Sequence, residues 1–416
     1  MRNKIIIFII PLLLIIKCGN DKMDIPNNDL IFFEFKKKVE SISDNTEKQK
    51  IVKKFMKQVK KVGTPIIKND STVIFLYYGD KDSVGLLGDM NNWTKSTPFQ
   101  KIAGTKLFYL EQKYETSACL VYLLQFDSKT FPSIDPLNSL GVSNGFGQNS
   151  IVMMPKYKMN HLFDNYIHGE IGDFSRVKEF TIPSKIMNYD HKIHVYLPPK
   201  YSEQKTYSTI YFQDGADYIT YAHVPFILDT LIKSKKIQPV IAVFVTPPNL
   251  HEPKMPNRMT EYGLNDDYIK FFCDELVTYI DKKYSTIMNA ENRLVIGDSY
   301  GGLVSVNIAF QRPEIFKKVY DQSGYLSIQS DHLINLINST DAKDVEIYIT
   351  VGTYERNVAA FLLPESETDF LMANRRLRNV LENKGYKYKY FEYPEGHTWS
   401  NWRKHLVEAL KYFFGI

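Results

Sequence analysis

The amino-acid sequence predicts an α/β protein with a mainly parallel sheet, preceded by a small all-β sandwich domain. From residue 63 to 157, apolar residues alternate with a period of two between clusters of turn-forming residues, as in the strands of a sandwich. From about residue 180, short apolar runs alternate with segments of helical period, which indicates parallel strands covered by helices on both faces. One of these runs, 294–296, leads directly into Gly-x-Ser-x-Gly at 297–301.

Residues 1–18 have the composition of a targeting segment. Arg2 and Lys4 precede twelve residues that are apolar apart from Pro11, a run too short to span a bilayer and typical of a signal peptide. With Cys18 after this run, the segment resembles a bacterial lipoprotein signal, in which the cysteine becomes the lipidated first residue. We therefore predict a lipid-anchored protein of the cell envelope that faces the periplasm or the exterior. Other secretion and a retained membrane anchor are the alternatives.

The composition is that of a globular protein with a net charge of +5 over 416 residues. No nucleic-acid-binding motif is present, so we expect no nucleic-acid partner. Besides Cys18, the chain has only Cys119 and Cys273, which fall in different predicted domains, so a disulfide framework is not expected. No Cys/His cluster has the spacing of a zinc site, and we expect neither a metal nor an organic cofactor.

Residues 19–62 are predicted to form a polar tether followed by one or two amphipathic helices. From residue 30 onward, apolar side chains recur at helical spacing, with an interruption by Ser-Asp-Asn at 43–45. The apolar face of these helices is expected to pack on the segment that follows.

Residues 63–157 hold the predicted sandwich, with strands at 73–78, 84–87, 107–110 and 120–126. The segment Gly-Asp-Met-Asn-Asn-Trp at 88–93, together with the last of these strands and the Asp-Pro turn at 135–136, resembles early-set immunoglobulin-like domains. Such domains stand in front of glycogen-branching enzymes and enterochelin esterases. Trp93 is interpreted either as a core residue or as a platform for a sugar or aromatic ligand.

Residues 158–416 are predicted to form the parallel sheet and its helices. The predicted strands are 192–197, 209–212, 240–245, 293–296, 318–320, 345–351 and 388–393, and helices fall between them, notably 266–284 and 367–384. In open α/β sheets the functional residues gather beyond the carboxyl ends of the strands. The catalytic residues are therefore expected in the loops that follow these strands.

The Gly-x-Ser-x-Gly motif predicts a nucleophile elbow, a sharp turn between a strand and a helix that exposes Ser299. Such a turn needs small residues two positions before and after the serine, and Gly297 and Gly301 occupy these positions. The backbone N–H of Tyr300 and the start of the helix would face an oxyanion that forms on an attacked carbonyl. An ordinary glycine-rich turn is the alternative interpretation.

His397 and an acidic residue complete the predicted catalytic triad. His397 follows the last strand, in the Ser…acid…His order of α/β-hydrolases, and an imidazole there can accept the proton of Ser299. Glu355, directly after the preceding strand, is the first choice for the acid. Asp321 and Asp369 are the alternatives for the acid, and a Ser-His dyad would need no acid. For His397, the alternative is a structural role as a helix-capping residue.

Two loops and one aromatic residue are candidates for substrate contacts. The loop after the strand 209–212 is expected to supply a second oxyanion N–H, from Ala216 or Asp217. Arg258 lies in a long proline-containing loop and is interpreted as pairing either with an anionic substrate or with a nearby glutamate, Glu261. Trp399 would suit an aromatic acyl group or fill the core.

Several short motifs together resemble the putative esterase (esterase D) family. They are Val195-Tyr-Leu-Pro-Pro-Lys-Tyr201, Gln213-Asp-Gly, Arg258-Met-Thr-Glu261, Gly297-Asp-Ser-Tyr-Gly-Gly, Gln322-Ser-Gly, Gly352-Thr-Tyr-Glu and Gly396-His-Thr-Trp. The resemblance covers about residues 175–416. With the preceding sandwich, the arrangement is most similar to enterochelin esterases, although the same domain also occurs in feruloyl esterases, acetylxylan esterases and mycolyltransferases. The resemblance implies an α/β-hydrolase fold with Ser299, Glu355 and His397 as nucleophile, acid and base.

The sequence therefore predicts a serine esterase that cleaves a small-molecule or glycan ester through an acyl-Ser299 intermediate, with an enterochelin (siderophore) esterase-like activity. A cell-envelope acyltransferase and a feruloyl or acetyl-xylan-type esterase are the alternatives within the same chemistry. A surface binding lipoprotein that acts through its β-sandwich is the non-enzymatic alternative.

Replacement of the predicted lipidation site tests the anchor. Cys18→Ser should shift the protein from the membrane fraction to the soluble fraction, because lipid chains on this residue would be its only strong hold on the bilayer. Fractionation with a carbonate wash measures the change, and esterase activity should be equal in both proteins. A variant that still sediments with membranes would contradict the lipid anchor.

Overall fold

A computed structural model describes residues 29–127, 131–145, 147–159, 174–248, 257–358 and 362–416. The predicted signal peptide, Cys18 and most of the predicted tether lie outside the described residues. Within these ranges, no helix combines the length and the hydropathy that a membrane span requires.

Two helices open the described chain, α1 (Asp29–Glu40) and α2 (Asn45–Val62). Asp44 caps α2, because its side chain accepts a hydrogen bond from the backbone N of Glu47 at 2.7 Å. The buried face of α2 packs with α1 on one side of the following β-structure, and the shared core contains Phe32, Val52, Phe55, Met56, Val59, Ile74, Leu76 and Tyr109. The amphipathic pattern of the sequence therefore corresponds to helices that cover a sheet.

Two antiparallel sheets follow these helices. Their strands are β1 (Ile66–Ile67), β2 (Thr72–Tyr78), β3 (Val84–Gly88), β4 (Thr97–Pro98), β5 (Gln100–Lys101), β6 (Leu107–Lys113), β7 (Cys119–Phe126), β8 (Gly141–Asn144) and β9 (Gly147–Met153). One sheet has the order β1-β2-β6-β5 and the other β4-β3-β7-β9-β8. A common core joins the two sheets, and in it Phe75 of β2 packs edge-on against Tyr122 of β7, with ring centroids 5.0 Å apart.

The second part of the chain is built on one eight-stranded sheet. Its strands are β10 (Val177–Pro183), β11 (Asp190–Tyr196), β12 (Ser208–Phe212), β13 (Val240–Thr246), β14 (Arg293–Asp298), β15 (Lys318–Gln322), β16 (Glu346–Gly352) and β17 (Lys387–Tyr393). The order is β10-β11-β13-β12-β14-β15-β16-β17. The pairs β10–β11 and β11–β13 are antiparallel and all other pairs are parallel.

Helices cover both faces of this sheet and enclose two apolar cores. They are α3 (Gly215–Thr220), α4 (Val224–Lys233), α5 (Arg258–Tyr262), α6 (Asp266–Lys270, continued by the π-helical turns Phe271–Leu276 and by Val277–Lys283), α7 (Tyr300–Gln311), α8 (Ile328–Ser339), α9 (Phe370–Asn383) and α10 (Trp399–Phe414). Because most strands are buried on both faces, their sequences are near-continuous apolar runs.

The predicted fold class, an α/β-hydrolase fold behind a small β domain, is confirmed, and all seven predicted strands of the large sheet are present. The sequence did not predict β10 as a strand. This strand lies at the sheet edge and most of its residues are exposed or half-buried, so it lacks the apolar run that marks the others.

Candidate active site

The turn between β14 and α7 holds Ser299 in an unusual backbone conformation, with φ 55° and ψ −119°. A Cβ on Gly297 would overlap the carbonyl oxygen of Gly301, and one on Gly301 would lie 2.7 Å from Oδ2 of Asp214. A larger residue at 297 would therefore displace the backbone, and one at 301 would displace the Asp214 side chain. The turn has the geometry of a nucleophile elbow, which presents the half-buried serine at the edge of the sheet.

Backbone hydrogen bonds fix this turn to the end of the neighbouring strand β15. The N–H of Ser299 donates to the carbonyl of Gln322 at 3.0 Å, and the carbonyl of Ser299 accepts from Tyr325 N at 2.9 Å. Leu303 N also donates to the carbonyl of Ser299, at 3.1 Å, which starts α7. The strained turn is thus held on both sides of the serine.

Glu355 and His397 form a carboxylate–imidazole pair, in which the glutamate is buried and the histidine half-buried. His397 follows β17, Glu355 follows β16, and His397 Nδ1 lies 2.6 Å from Glu355 Oε2. The glutamate side chain is fully buried, and its other oxygen accepts hydrogen bonds from Ser323 Oγ at 2.7 Å and from Gly352 N at 2.8 Å. Since a carboxylate only accepts hydrogen bonds, Nδ1 is the donor in this contact, and in the neutral imidazole Nε2 is then the nitrogen that can accept a proton.

Aromatic rings hold the imidazole of His397 in place. The ring of Phe370 and the ring of Trp402 each meet it edge-on, with centroid separations of 5.0 Å and 4.9 Å. Trp402 Nε1 in turn donates to Ser323 Oγ at 3.1 Å, so the tryptophan and the glutamate share one hydroxyl. Sequence reasoning missed this role of Ser323, although the Gln322-Ser-Gly motif could have drawn attention to it.

The parallel register brings the three predicted catalytic residues to the same edge of the sheet. Asp298 pairs with Gln322, and Gln322 pairs with Thr350, so β14, β15 and β16 end side by side. Ser299 is bonded to Gln322, and the next residue, Ser323, is bonded to Glu355. Among the described residues, no hydrogen bond joins Ser299 Oγ to the histidine. In unliganded enzymes this contact is often long and tightens when substrate binds.

The alternative acids lie elsewhere. Asp369 caps α9, accepting from Met372 N at 2.9 Å. Asp321 is fully buried against the backbone of Gly302 and Gly324, and in the part of the chain that the structure describes it makes no hydrogen bond to another side chain. Burial raises the pKa of Asp321 to about 8, and the charge of Glu355 adds to the rise while the Gly324 amide opposes it. A carboxyl group that stays protonated at neutral pH cannot act as the charged partner of an imidazolium.

The prediction of a second oxyanion N–H from the loop after β12 is corrected in part. Asp217 N donates to the carbonyl of Asp214 at 2.9 Å, because α3 starts here and this N–H closes its first turn. The N–H groups at the very start of a helix have no partner within the helix, which leaves those of Ala216 in α3 and Tyr300 in α7 as candidate donors. Both roles remain predictions.

Of the two interpretations of Arg258, the pairing with Glu261 is wrong. The guanidinium of Arg258 forms a bidentate ion pair with Asp214, at 2.5 and 2.7 Å, and donates to the carbonyl of Asp298 at 3.1 Å. Glu261 is instead buried with Tyr189 and His191, whose polar atoms lie 2.6 and 2.7 Å from its Oε1. A planar guanidinium matches a carboxylate in two places at once, which favours this partner. An anionic substrate would have to compete with Asp214 for the same donors.

Asp298 and Asp217 flank this ion pair. Burial raises the pKa of Asp298 well above its usual range, and the neighbouring Asp214 adds to the rise while Arg258 opposes it. Burial also raises the pKa of Asp217 to about 6, and the charge of Asp214 adds to this rise. The part of the site around Arg258 therefore contains several carboxyl groups, and the one cation is already paired with Asp214.

Trp399 is a core residue in the structure, not an exposed surface for an acyl group. Its side chain is 6% exposed and packs edge-on between Tyr218 and Trp402, with centroids at 5.1 and 5.0 Å. Its position at the first turn of α10 points it into the core beneath that helix. Local sequence spacing does not reveal this orientation.

Comparison with known proteins identifies the second part of the chain. A family model described as "Putative esterase" matches residues 184–413, more than half of the chain. The uncharacterized protein YjcH of Bacillus subtilis is 30% identical over 236 residues, which cover 56% of this chain and 96% of that protein. An endo-1,4-beta-xylanase/feruloyl esterase of Xylanibacter ruminicola is 26% identical over 212 residues, which cover 45% of this chain and 26% of that protein.

A solved structure extends the likeness to the first part of the chain. The ferric enterobactin esterase of Salmonella typhimurium has a similar fold, with a TM-score of 0.68 at 16% identity. The match covers 82% of this chain and 93% of the other. Since the family model begins at residue 184, this match includes much of the preceding β domain.

The buried Asp321 gives a testable pH dependence of stability. Its pKa is raised on folding from about 4 to about 8, so the folded state holds a proton that the unfolded chain releases. The contribution of Asp321 to stability is therefore fully present below about pH 4 and is lost as the pH rises toward 8. Between pH 5 and 8.5, the free energy of unfolding should fall by on the order of 3 kcal/mol less in Asp321→Asn than in the wild-type protein. Urea unfolding at these two pH values measures the difference.

The exposed Asp341→Asn variant is the control, since it changes the same charge without burial. Equal losses of stability in Asp321→Asn and the wild-type protein would contradict a buried, protonated Asp321.

Proposed function

Because the chain belongs to the putative esterase family, we propose that it is a serine esterase that hydrolyses carboxylic esters through an acyl-Ser299 intermediate. The observation that carries this proposal is the 2.6 Å contact between His397 Nδ1 and the buried Glu355, beside a strained turn that presents a serine. With Nδ1 bonded to Glu355, Nε2 of the neutral imidazole is the nitrogen that accepts the proton when the serine attacks.

In the first half of the reaction, Ser299 Oγ bonds to the carbonyl carbon of the ester while its proton passes to Nε2 of His397. Glu355 stabilises the imidazolium that results, since its charge lies within hydrogen-bond distance of Nδ1. The N–H groups of Tyr300 and Ala216 stabilise the negative oxygen of the tetrahedral intermediate. The bond to the alcohol then breaks, and the alcohol leaves with the proton from His397.

In the second half, water takes the place of the alcohol. His397 accepts a proton from the water as its oxygen bonds to the acyl carbon, and a second tetrahedral intermediate forms. When this collapses, Ser299 regains its proton and the carboxylic acid leaves. The same residues therefore act in both half-reactions, and the proposed reaction consumes only the ester and water.

For the substrate we propose an enterochelin (siderophore) type of ester. The support is the shared two-part architecture, since the match to the ferric enterobactin esterase extends over the β domain as well as the catalytic part. The second candidate is a feruloyl-type ester, and the support is the sequence relative named endo-1,4-beta-xylanase/feruloyl esterase. Hydrolysis rates on catecholate, feruloyl and p-nitrophenyl esters distinguish these two candidates. The same assays with an added alcohol as acyl acceptor distinguish hydrolysis from acyl transfer.

Loss of the nucleophile tests the chemistry directly. Ser299→Ala should abolish labelling by a fluorophosphonate probe and lower kcat by about 10³-fold or more, because no other group can form the acyl intermediate. Ser339→Ala, at an exposed position near the end of α8, is the matched control and should retain full activity. Turnover that is unchanged in Ser299→Ala would refute the proposed mechanism.

The role of the acid is tested by a substitution that keeps its size. Glu355→Gln should lower kcat by roughly 10²- to 10⁴-fold with KM little altered. The introduced amide presents an N–H toward Nδ1 of His397, which favours the tautomer that carries its proton on Nε2 and cannot accept one from Ser299. Steady-state kinetics on a p-nitrophenyl ester measure the effect.

Asp321→Asn is the comparison for this experiment, because Asp321 is the alternative acid and makes no contact with His397. Its kcat should change much less. If this variant were the inactive one and Glu355→Gln nearly normal, the assignment of the acid would be wrong.

A further inference from the structure

The β domain touches the turn that carries His397. Cys119 N, at the start of β7, donates a hydrogen bond to the carbonyl of Pro394 at 3.1 Å. Two residues further along this turn, a Cβ on Gly396 would overlap the carboxyl group of Asp89, and the three nearest atoms all belong to that side chain. The Asp89 carboxyl therefore lies directly against the backbone next to the catalytic histidine.

Asp89 is itself rigidly held. Its side chain is 3% exposed, Oδ1 accepts a hydrogen bond from Trp93 Nε1 at 2.9 Å, and Oδ2 accepts one from Val121 N at 2.8 Å. With both oxygens engaged, the plane of the carboxyl group cannot rotate freely. Trp93 packs against a small apolar cluster and holds the Asp89 carboxyl through its ring N–H. This contact accounts for the tryptophan in the motif at 88–93.

A second contact links the β domain to the turn that carries the acid. Tyr354 precedes Glu355, packs against the core of the sandwich, and its hydroxyl donates to Glu115. Tyr354 N also donates to the carbonyl of Glu395 at 3.3 Å, so the two catalytic turns are bonded to each other where they meet the sandwich.

We propose that Asp89 is a positioning residue for the esterase reaction, which holds the turn of Gly396 and His397 from the β domain. The inference rests on the proposed function of Ser299 and His397. Glycine at 396 is not required by the backbone, because its φ lies outside the left-handed region, so the space taken by Asp89 accounts for it. A displacement of a catalytic group by about 1 Å can cost on the order of 10²-fold in rate.

The charges around Asp89 add an electrostatic component. Burial raises the pKa of Asp89 to about 7, the hydrogen bonds from Val121 and Trp93 oppose the rise, and Glu355 and Glu395 add to it. Glu395 is paired with Lys404 and His405 on α10, at 2.7 and 3.2 Å. Ionisation of Asp89 as the pH rises through about 7 would place a negative charge against the backbone of the turn that carries His397, so the pH–kcat profile should contain a component from Asp89.

A double-mutant cycle tests the contact. Gly396→Ala in the wild-type protein should lower kcat by about 30- to 100-fold with KM nearly unchanged, because the new methyl group pushes the turn away from Asp89. Asp89→Ala should lower kcat by about 10-fold. In the Asp89→Ala background the same Gly396→Ala change should cost less than about 3-fold, since the obstructing atoms are gone.

Gly145→Ala is the matched control, because a Cβ there meets nothing within 4 Å, and its kinetics should equal those of the wild type. Asp89→Asn keeps the shape of the side chain and removes its charge. The pH–kcat profile of this variant should therefore lack the component near pH 7 that Asp89 contributes. Asp89→Ser takes the place of Asp89→Ala in the cycle if thermal unfolding shows that the alanine variant is not folded.

Equal costs of Gly396→Ala in both backgrounds, or a kcat within 2-fold of wild type for both single variants, would overturn the proposal. These outcomes are distinct from failure of the proposed function. If the wild-type protein hydrolyses esters and Ser299→Ala does not, the function stands and the cycle alone decides the role of Asp89. If the wild-type protein has no esterase activity, both proposals fail together.

Discussion

Close packing of backbone against backbone at the strand-to-helix turn is the constraint on which the site depends. Gly297 and Gly301 leave no room for a Cβ, and Ser299 between them is held at positive φ. Such a conformation costs on the order of 1–3 kcal/mol and persists only where the surrounding structure imposes it. Here the hydrogen bonds to Gln322 and Tyr325 impose it, so the position of the serine is set by β15 as much as by its own strand.

Glu355 differs from the other buried carboxyl groups near the site in its hydrogen-bond partners. Asp89, Asp298 and Asp321 are all buried, and burial raises the pKa of each. Glu355 is equally buried but accepts hydrogen bonds from Ser323, Gly352 and His397. Hydrogen bonds to a carboxylate stabilise its charged form. These donors set Glu355 apart from Asp321, whose carboxyl oxygens have no side-chain partner among the described residues.

The sequence was sufficient for the parts of the fold and site that local patterns determine. The glycine spacing around Ser299 and the order of Glu355 and His397 along the chain follow from the steric needs of one turn and from the sheet topology. Partner choice over long distances does not follow from spacing: Arg258 bonds to Asp214, which lies 44 positions away, and not to the nearby Glu261. Trp399 and Asp89 were likewise unpredictable, because their surroundings come from other elements of the chain.

The two cysteines of the described residues are both free, and both are buried, one at the start of β7 and the other in the π-helical turns of α6. Burial raises the pKa of Cys273 to about 12 and that of Cys119 further still, so neither forms the reactive thiolate at neutral pH. The packing of this part of the chain therefore involves no covalent cross-link and exposes no thiol to oxidants. Formation of the described structure therefore does not require a disulfide bond between these two cysteines.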